Sequence, residues 1–148
     1  MVLRPAGSCD IQDINDCVQE AYRPYIQRIG KPPAPMLVDY SEIVTMYQTF
    51  VAVMNERVVG ILVLIPREQG LLLDNVAVRP EFQGRGIGGK LLKLAEAEAR
   101  KQGLAQLDLY THERMIENIK MYKYLGYVET KRCTEAGYQR VYLRKTLI

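Results

Sequence analysis

The sequence predicts a single mixed α/β domain in which a strand–helix–strand unit sits between β-hairpins. Three features point that way. The chain of 148 residues suits one domain with its own core, needing no disulfide or metal staples. Apolar residues recur at a period of two in some segments and about 3.6 in others, and the two kinds follow one another in mixed order. No repeat, low-complexity tract or charge block divides the chain.

The elements are expected as follows. A short strand near Val2 to Pro5 leads into a helix from about Asp10 to Ala21, where Ile11, Ile14, Cys17, Val18 and Ala21 keep one face and Asp10 is the expected N-cap. Arg28 to Met36 contains three prolines, which excludes regular helix and central strand. A short helix near Ser41 to Met46 follows, then "QTFVAVM" and "RVVGILVLI", joined by Asn55 and Glu56 as a hairpin. "GLLLDNVAV" supplies the next strand. From about Gly86 to Gln102, Ile87, Leu91, Ala95 and Ala99 form one core-facing helical stripe, ended by Gly103 at C′. The strand "AQLDLYT", a helix near Met115 to Leu125, and the strands "YVETKRC" and "YQRVYLRKTL" complete the chain.

Composition excludes several classes. Lys and Arg number 20 against 17 Asp and Glu, a net charge of +3, too small to indicate a nucleic-acid or anionic-membrane partner. The longest apolar run, Val58 to Ile65, falls short of the roughly 20 residues of a bilayer span. The start "MVLRPAGSCD" lacks the pattern of a secretory signal; a cytoplasmic location is expected. Cys9, Cys17 and Cys133 are odd in number and widely spaced, with His112 as the single histidine. Reduced, packed thiols are expected, and no metal site.

The stretch "NVAVRPEFQGRGIGGKLL" places Gly84, Gly86, Gly88 and Gly89 within six positions. It satisfies GxGxxG and GxxxxGK, yet neither survives its context. A P-loop needs Ser or Thr after the lysine, where Leu91 stands. The dinucleotide fingerprint wants glycines directly after the first strand, whereas "RPEFQ" intervenes in mid-chain. What remains is a glycine-rich turn opening a helix, whose N–H groups converge on a phosphate or pyrophosphate.

The same stretch resembles the acetyl-CoA signature of the GNAT N-acyltransferase superfamily, through Val78, Pro80, Gln83, Gly86 and Gly88. "ENIKMYKYLGYVET" resembles a later block of that family, through Tyr122, Gly126 and Tyr127. The resemblance covers most of the chain from about Phe50 onward. It implies a GNAT-like acyl-CoA N-acyltransferase fold: a mixed central sheet of about six or seven strands with about four helices, splayed between the fourth and fifth strands. Residues 1–48 would form the acceptor side, 50–130 the acetyl-CoA-binding core and 138–147 the C-terminal strand of one domain.

Acetyl-CoA is the implied cofactor. Backbone groups of Val76, Ala77 and Val78 would pair with its pantetheine arm, and an N–H near Val76 would face the developing oxyanion. Gln83 belongs to the signature, and N–H groups from Gly84, Arg85, Gly86, Ile87, Gly88, Gly89 and Lys90 would receive the phosphates, with the Arg85 and Lys90 side chains adding charge. Tyr122 is at the position of the family's general acid, and Asn118 is one helical turn before it, where it would reach the cofactor or Tyr122. From pattern alone Tyr122 reads as core, on a stripe with Met115, Ile119 and Leu125; it is the positional match that makes it functional. The glutamate that some branches use as base is Leu72 here; Asp74, two positions on, or a water relay is the alternative. His112 stands at the end of its strand, on the side where α/β sites form.

The resemblance makes an amine the acceptor, over a region where Tyr22, Tyr25 and Tyr40 would line a pocket and Asp39 attract an ammonium, or where the tyrosines merely pack. It leaves a homodimer open. The function expected is acetyl transfer to a primary amine of a small molecule, peptide or protein. The alternatives are a coenzyme A-binding regulatory module without turnover and, weakened by Leu91, a nucleotide-binding protein.

Overall fold

The computed structural model describes residues 1–147 and shows a seven-stranded mixed sheet flanked by helices on both faces. In chain order the strands are β1 (Val2–Pro5), β2 (Gln48–Met54), β3 (Arg57–Pro66), β4 (Gly70–Val78), β5 (Gln106–His112), β6 (Val128–Glu135) and β7 (Tyr138–Thr146). The helices are α1 (Ile11–Tyr22), the single turn α2 (Ile26–Ile29), α3 (Tyr40–Met46), α4 (Ile87–Lys101) and α5 (Ile116–Tyr124). Among the described residues no helix is long and apolar enough to cross a membrane.

The sheet order is β1-β2-β3-β4-β5-β7-β6. All neighbours are antiparallel except β4 and β5, which run parallel because α4 carries the chain across the sheet between them. The expected hairpin turn at Asn55 and Glu56 has positive φ at both residues, 53° and 64°, the geometry whose twist matches the flanking strands. The expected loop Arg28 to Met36 is partly ordered as a 3-10 turn over Ala34–Leu37, a compact form that proline tolerates at its first positions.

The predicted faces hold. Ile87, Leu91, Ala95 and Ala99 of α4 are buried against Leu62, Leu71, Leu73, Leu107 and Leu109 on one face of the sheet. On the other, Ile14, Cys17, Val18 and Ala21 of α1 pack with Tyr40 on Val51, Ile61, Val63 and Ala77. Covered on both faces, β3 reads as an unbroken apolar run. Asp10 does not cap α1 with its side chain. A 3-10 turn over Ser8–Asp10 precedes the helix, and the Asp10 carboxylate reaches back to the Gly7 N–H (2.8 Å) and to both Arg4 guanidinium nitrogens (2.8 and 2.9 Å).

Two local features open the sheet. Residue pairing between β4 and β5 runs only from Gly70/Gln106 to Leu73/Leu109. It begins where Gly70 allows close approach: a Cβ there would lie 2.4 Å from the Gln106 carbonyl oxygen. It ends at a β-bulge, since Val63 pairs with Asn75 and Leu64 with Leu73, which leaves Asp74 without an opposite residue. Bulges bend and twist the strand that carries them, and beyond Leu73 the two strands diverge.

Candidate active site

Within the splay, the hydrogen-bonding alternation of β3 and β4 decides which main-chain groups are free of the sheet. The Arg79 N–H donates to the Val59 carbonyl (2.9 Å). Bonded and non-bonded pairs alternate in an antiparallel ladder, so Ile61/Ala77 and Val63/Asn75 are the bonded pairs in this register. The N–H and C=O groups of Val76 and Val78 therefore point away from β3, into the gap. The Val78 carbonyl accepts from the Gln83 side chain (3.1 Å).

The gap continues to the start of α4. Gly86, with φ of 80°, occupies the N-cap position, and Gly84 shares this left-handed conformation at φ 79°, which costs other L-residues about 1–2 kcal/mol. A Cβ on Gly84, Gly86 or Gly89 would meet no atom within 4 Å, and one on Gly88 only the Val78 side chain at 3.9 Å. These positions border a cavity of about 360 Å³, lined also by Tyr25, Val76, Ala77, Val78, Gln83 and Ile87. The side chain of Ile87 is core. The Arg85 guanidinium lies over the Phe82 ring, 5.0 Å from its centre, and the Lys90 side chain is exposed; neither residue lines the cavity.

A second cavity of about 60 Å³ lies on the other side of the splay, between α1, the proline loop, β4, β5 and β7. Tyr22, Val76, Asn118 and Tyr122 line both cavities. The second is bordered by Asp74, Asn75, Tyr110, His112, Tyr138 and Arg140. Tyr22 donates to the Asn75 side-chain oxygen (2.6 Å), and the Asn75 amide nitrogen donates to the Tyr40 hydroxyl (2.9 Å), which donates to the Pro35 carbonyl (2.8 Å). Asp74 accepts from the Tyr110 hydroxyl (2.9 Å).

Nearby, polar links tie α2 and the proline loop to α5 and β7. Tyr138 donates to the Pro32 carbonyl, Lys31 to the Gly137 carbonyl, and Arg28 pairs with Glu117 at 2.6 Å. His112 accepts the Arg114 N–H on Nδ1 (3.1 Å), and burial lowers its pKa, which favours the neutral ring.

Tyr122 is buried, its ring edge-on to Tyr127 with centres 5.7 Å apart. Burial raises its pKa, and the nearby Tyr25 adds to the effect, so the phenol stays protonated through the neutral range. The hydroxyls of Tyr22 and Tyr110 are committed to Asn75 and Asp74, whereas no hydrogen bond to a described residue engages that of Tyr122.

The expected site residues are thus largely gathered around two joined cavities, with two of those expected to meet an acceptor, Tyr40 and Asp39, set apart. Tyr40 is buried behind Asn75 as an anchor. Asp39 is exposed and accepts the Ser41 N–H (2.9 Å) as N-cap of α3, lining neither cavity. Sequence reasoning passed over Asn75, Tyr110, Tyr138 and Arg140. For Asn75 a signal existed: it is a second polar residue beside Asp74 in an otherwise apolar strand. The other three needed the β5/β7 pairing.

Comparison with known proteins gives concordant results. A model of the acetyltransferase (GNAT) domain matches residues 46–129. The chain is 27% identical over 97 residues to thialysine N-epsilon-acetyltransferase of Bos taurus, covering 66% of this chain and 48% of that protein, so it spans about half the length of that relative. Among solved structures, the PaiA N-acetyltransferase of Thermoplasma acidophilum in complex with coenzyme A superposes with a TM-score of 0.83 at 16% identity, over 98% of each chain. The ribosomal-protein-S18-alanine N-acetyltransferase of Escherichia coli gives 0.80 at 19%, over 99% of this chain and 93% of that one. At these identities the structural likeness is one of fold.

Proposed function

The chain belongs to the GNAT acetyltransferase family, and from that premise we propose that it transfers an acetyl group from acetyl-CoA to a primary amine of a small molecule, peptide or protein. The observation that carries this is the meeting of the two cavities at Tyr22, Val76, Asn118 and Tyr122. A donor in one and an acceptor in the other would come together beside an uncommitted phenol.

The residues fit the cofactor. Space left by missing side chains at Gly84, Gly86, Gly88 and Gly89 suits a pyrophosphate on the N–H groups that open α4. The outward main-chain groups of Val76 and Val78 suit an amide-bearing arm laid along β4 as an added strand. Bound there, acetyl-CoA supplies a thioester carbonyl, whose C–S bond breaks as the acceptor nitrogen forms a C–N bond.

The chain's own groups then manage protons and charge. The Val76 N–H is a donor for negative charge developing at the splay. Asp74, at the edge of the acceptor cavity, takes the proton lost by the amine, directly or through water. Tyr122 gives its proton to the departing sulfur, a role that needs a phenol still protonated at neutral pH. Asn118 lies one turn before it and steadies the bound arm. Arg85 and Lys90 contribute only long-range charge near the phosphates. Three free cysteines support a reducing, cytoplasmic setting.

Titration calorimetry or thermal shift with acetyl-CoA, ATP and NAD, followed by thiol release over a panel of amines, tests the proposal. Stabilisation by acetyl-CoA alone, with amine-dependent thiol release, is the expected result. Lack of any response to acetyl-CoA removes the proposal, and binding without release for any amine reduces the protein to a coenzyme A-binding module.

A further inference from the structure

Arg140 stands out among the groups lining the acceptor cavity. It lies on β7 directly across from His112 of β5 and beside the Tyr110/Tyr142 pair. Its side chain is only 18% exposed, and its guanidinium rests 4.3 Å from the centre of the Tyr110 ring, which holds the plane of the fork. Its one carboxylate neighbour, Glu135, is 3.5 Å away at a single nitrogen and also accepts the Tyr142 hydroxyl.

Arg79, which is buried, shows what full engagement looks like. Arg79 gives Nε to the Val58 carbonyl (2.7 Å), one terminal nitrogen to Glu20 (2.8 Å) and the other to Asp13 (2.6 Å). Arg140, with the same five donors, has only the longer Glu135 contact and the Tyr142 hydroxyl beside it, and it borders a cavity. At the hydroxyl end of that ring lies Asp74, held by the Tyr110 O–H and bordering the same cavity. A cation stacked on the face of one aromatic ring and an anion at its hydroxyl thus border a single cavity of about 60 Å³.

We propose that Arg140 is a specificity-determining residue that binds the carboxylate of a small amino-acid-type acceptor, whose ammonium is drawn to the Asp74 side of the cavity. The inference rests on the acetyl-transfer reading and narrows its acceptor. A bidentate carboxylate satisfies the open edge of the guanidinium in a way that a neutral amide cannot. The small volume favours a free amino acid over a folded protein's terminus.

The test compares matched acceptors: L-alanine, L-methionine and L-lysine, each against its carboxamide and against the amine lacking the carboxyl group, in native chain and in Arg140→Gln and Arg140→Lys. The native enzyme is expected to show kcat/KM at least tenfold higher for an amino acid than for its carboxamide. That ratio should collapse toward one in Arg140→Gln, chiefly through KM, and be partly kept by Arg140→Lys. Acetyl-CoA thermal shifts report folding of each variant. Should the variants fail to fold, the native ratio decides alone. A native ratio near one, an unchanged ratio in Arg140→Gln, or acetylation of carboxamides or peptides alone overturns the inference, as does acetyl-CoA binding with no amino acid acetylated. Failure of acetyl-CoA to bind at all instead removes the reading on which it rests.

Discussion

The Tyr22 hydroxyl donates to the Asn75 side-chain oxygen across 2.6 Å, and that one contact joins the end of α1 to the bulged strand where both cavities meet. Asn75 is 4% exposed, and its amide also holds Tyr40. Asn75→Ala would leave the Tyr22 hydroxyl only its longer contact to the Val76 carbonyl (3.4 Å) and take the incoming donor from the Tyr40 hydroxyl, which still donates to Pro35; a buried group left unpaired costs about 1–3 kcal/mol. We expect a loss of about 2–3 kcal/mol in urea denaturation, about 1 kcal/mol for Tyr22→Phe, and a double variant less destabilised than the sum. Strict additivity would show that the contact does not couple the two elements.

Much of this architecture was legible because its causes are local. The type I′ turn at Asn55, the stripe of α4 and the glycine-rich turn before it each follow from residues adjacent in sequence or on one helical face. Tyr110, Tyr138 and Arg140 escaped because their meaning arises only when β7 inserts beside β5, a pairing between segments about 30 residues apart. Asp39 was misplaced for the opposite reason. Its charge suggested a substrate contact, while its position before "YSE" was already that of an N-cap.

At Gly88, the proposed ligand and the fold make opposite demands. Within the first turn of α4 an alanine is favoured over glycine by about 0.5–1 kcal/mol, and its methyl would meet only Val78 at 3.9 Å. Gly88→Ala should therefore raise the Tm of the free chain while weakening acetyl-CoA by tenfold or more, since the methyl enters the space between helix and strand. Calorimetric Kd beside thermal denaturation reads both. Unchanged affinity would move the phosphates elsewhere.

Arg79 is 3% exposed at its side chain and links α1 to the end of β4 through Asp13 and Glu20. Removing it strands two carboxylates and the Val58 carbonyl. Because both carboxylates are about a third exposed, the cost is set below that of a fully buried pair, at about 2–4 kcal/mol for Arg79→Met. Guanidinium denaturation measures it. A loss under about 1 kcal/mol would show that water screens the pairs completely.

Alkaline pH should unfold the protein early. Burial raises the pKa values of Tyr22, Tyr40, Tyr110, Tyr122 and Tyr127. Unfolded, these phenols ionise near pH ~10, while the folded chain keeps their protons. Below that pH both states are protonated and stability is unaffected; above it the unfolded state gains by ionising, so stability falls as pH rises. Tm measured from pH 8 to 11 should drop steeply past about pH 10, together with a cooperative rise in phenolate absorbance. A flat Tm would mean the hydroxyls reach solvent.

The raised pKa of Tyr122 also fixes how the proposed catalytic role can be recognised. An acid must hold its proton at the working pH, and burial keeps this phenol protonated beyond the ordinary tyrosine range. Its ionisation therefore cannot shape the kcat profile between pH 6 and 9. Any limb seen there belongs to another group, and should persist in Tyr122→Phe. What the variant loses is the proton itself: kcat should fall about 100-fold or more, with acetyl-CoA affinity within threefold and Tm nearly unchanged, because the hydroxyl makes no hydrogen bond to a described residue. A variant that turns over at the native rate would leave Tyr122 as a packing residue against Tyr127 and assign the proton to water.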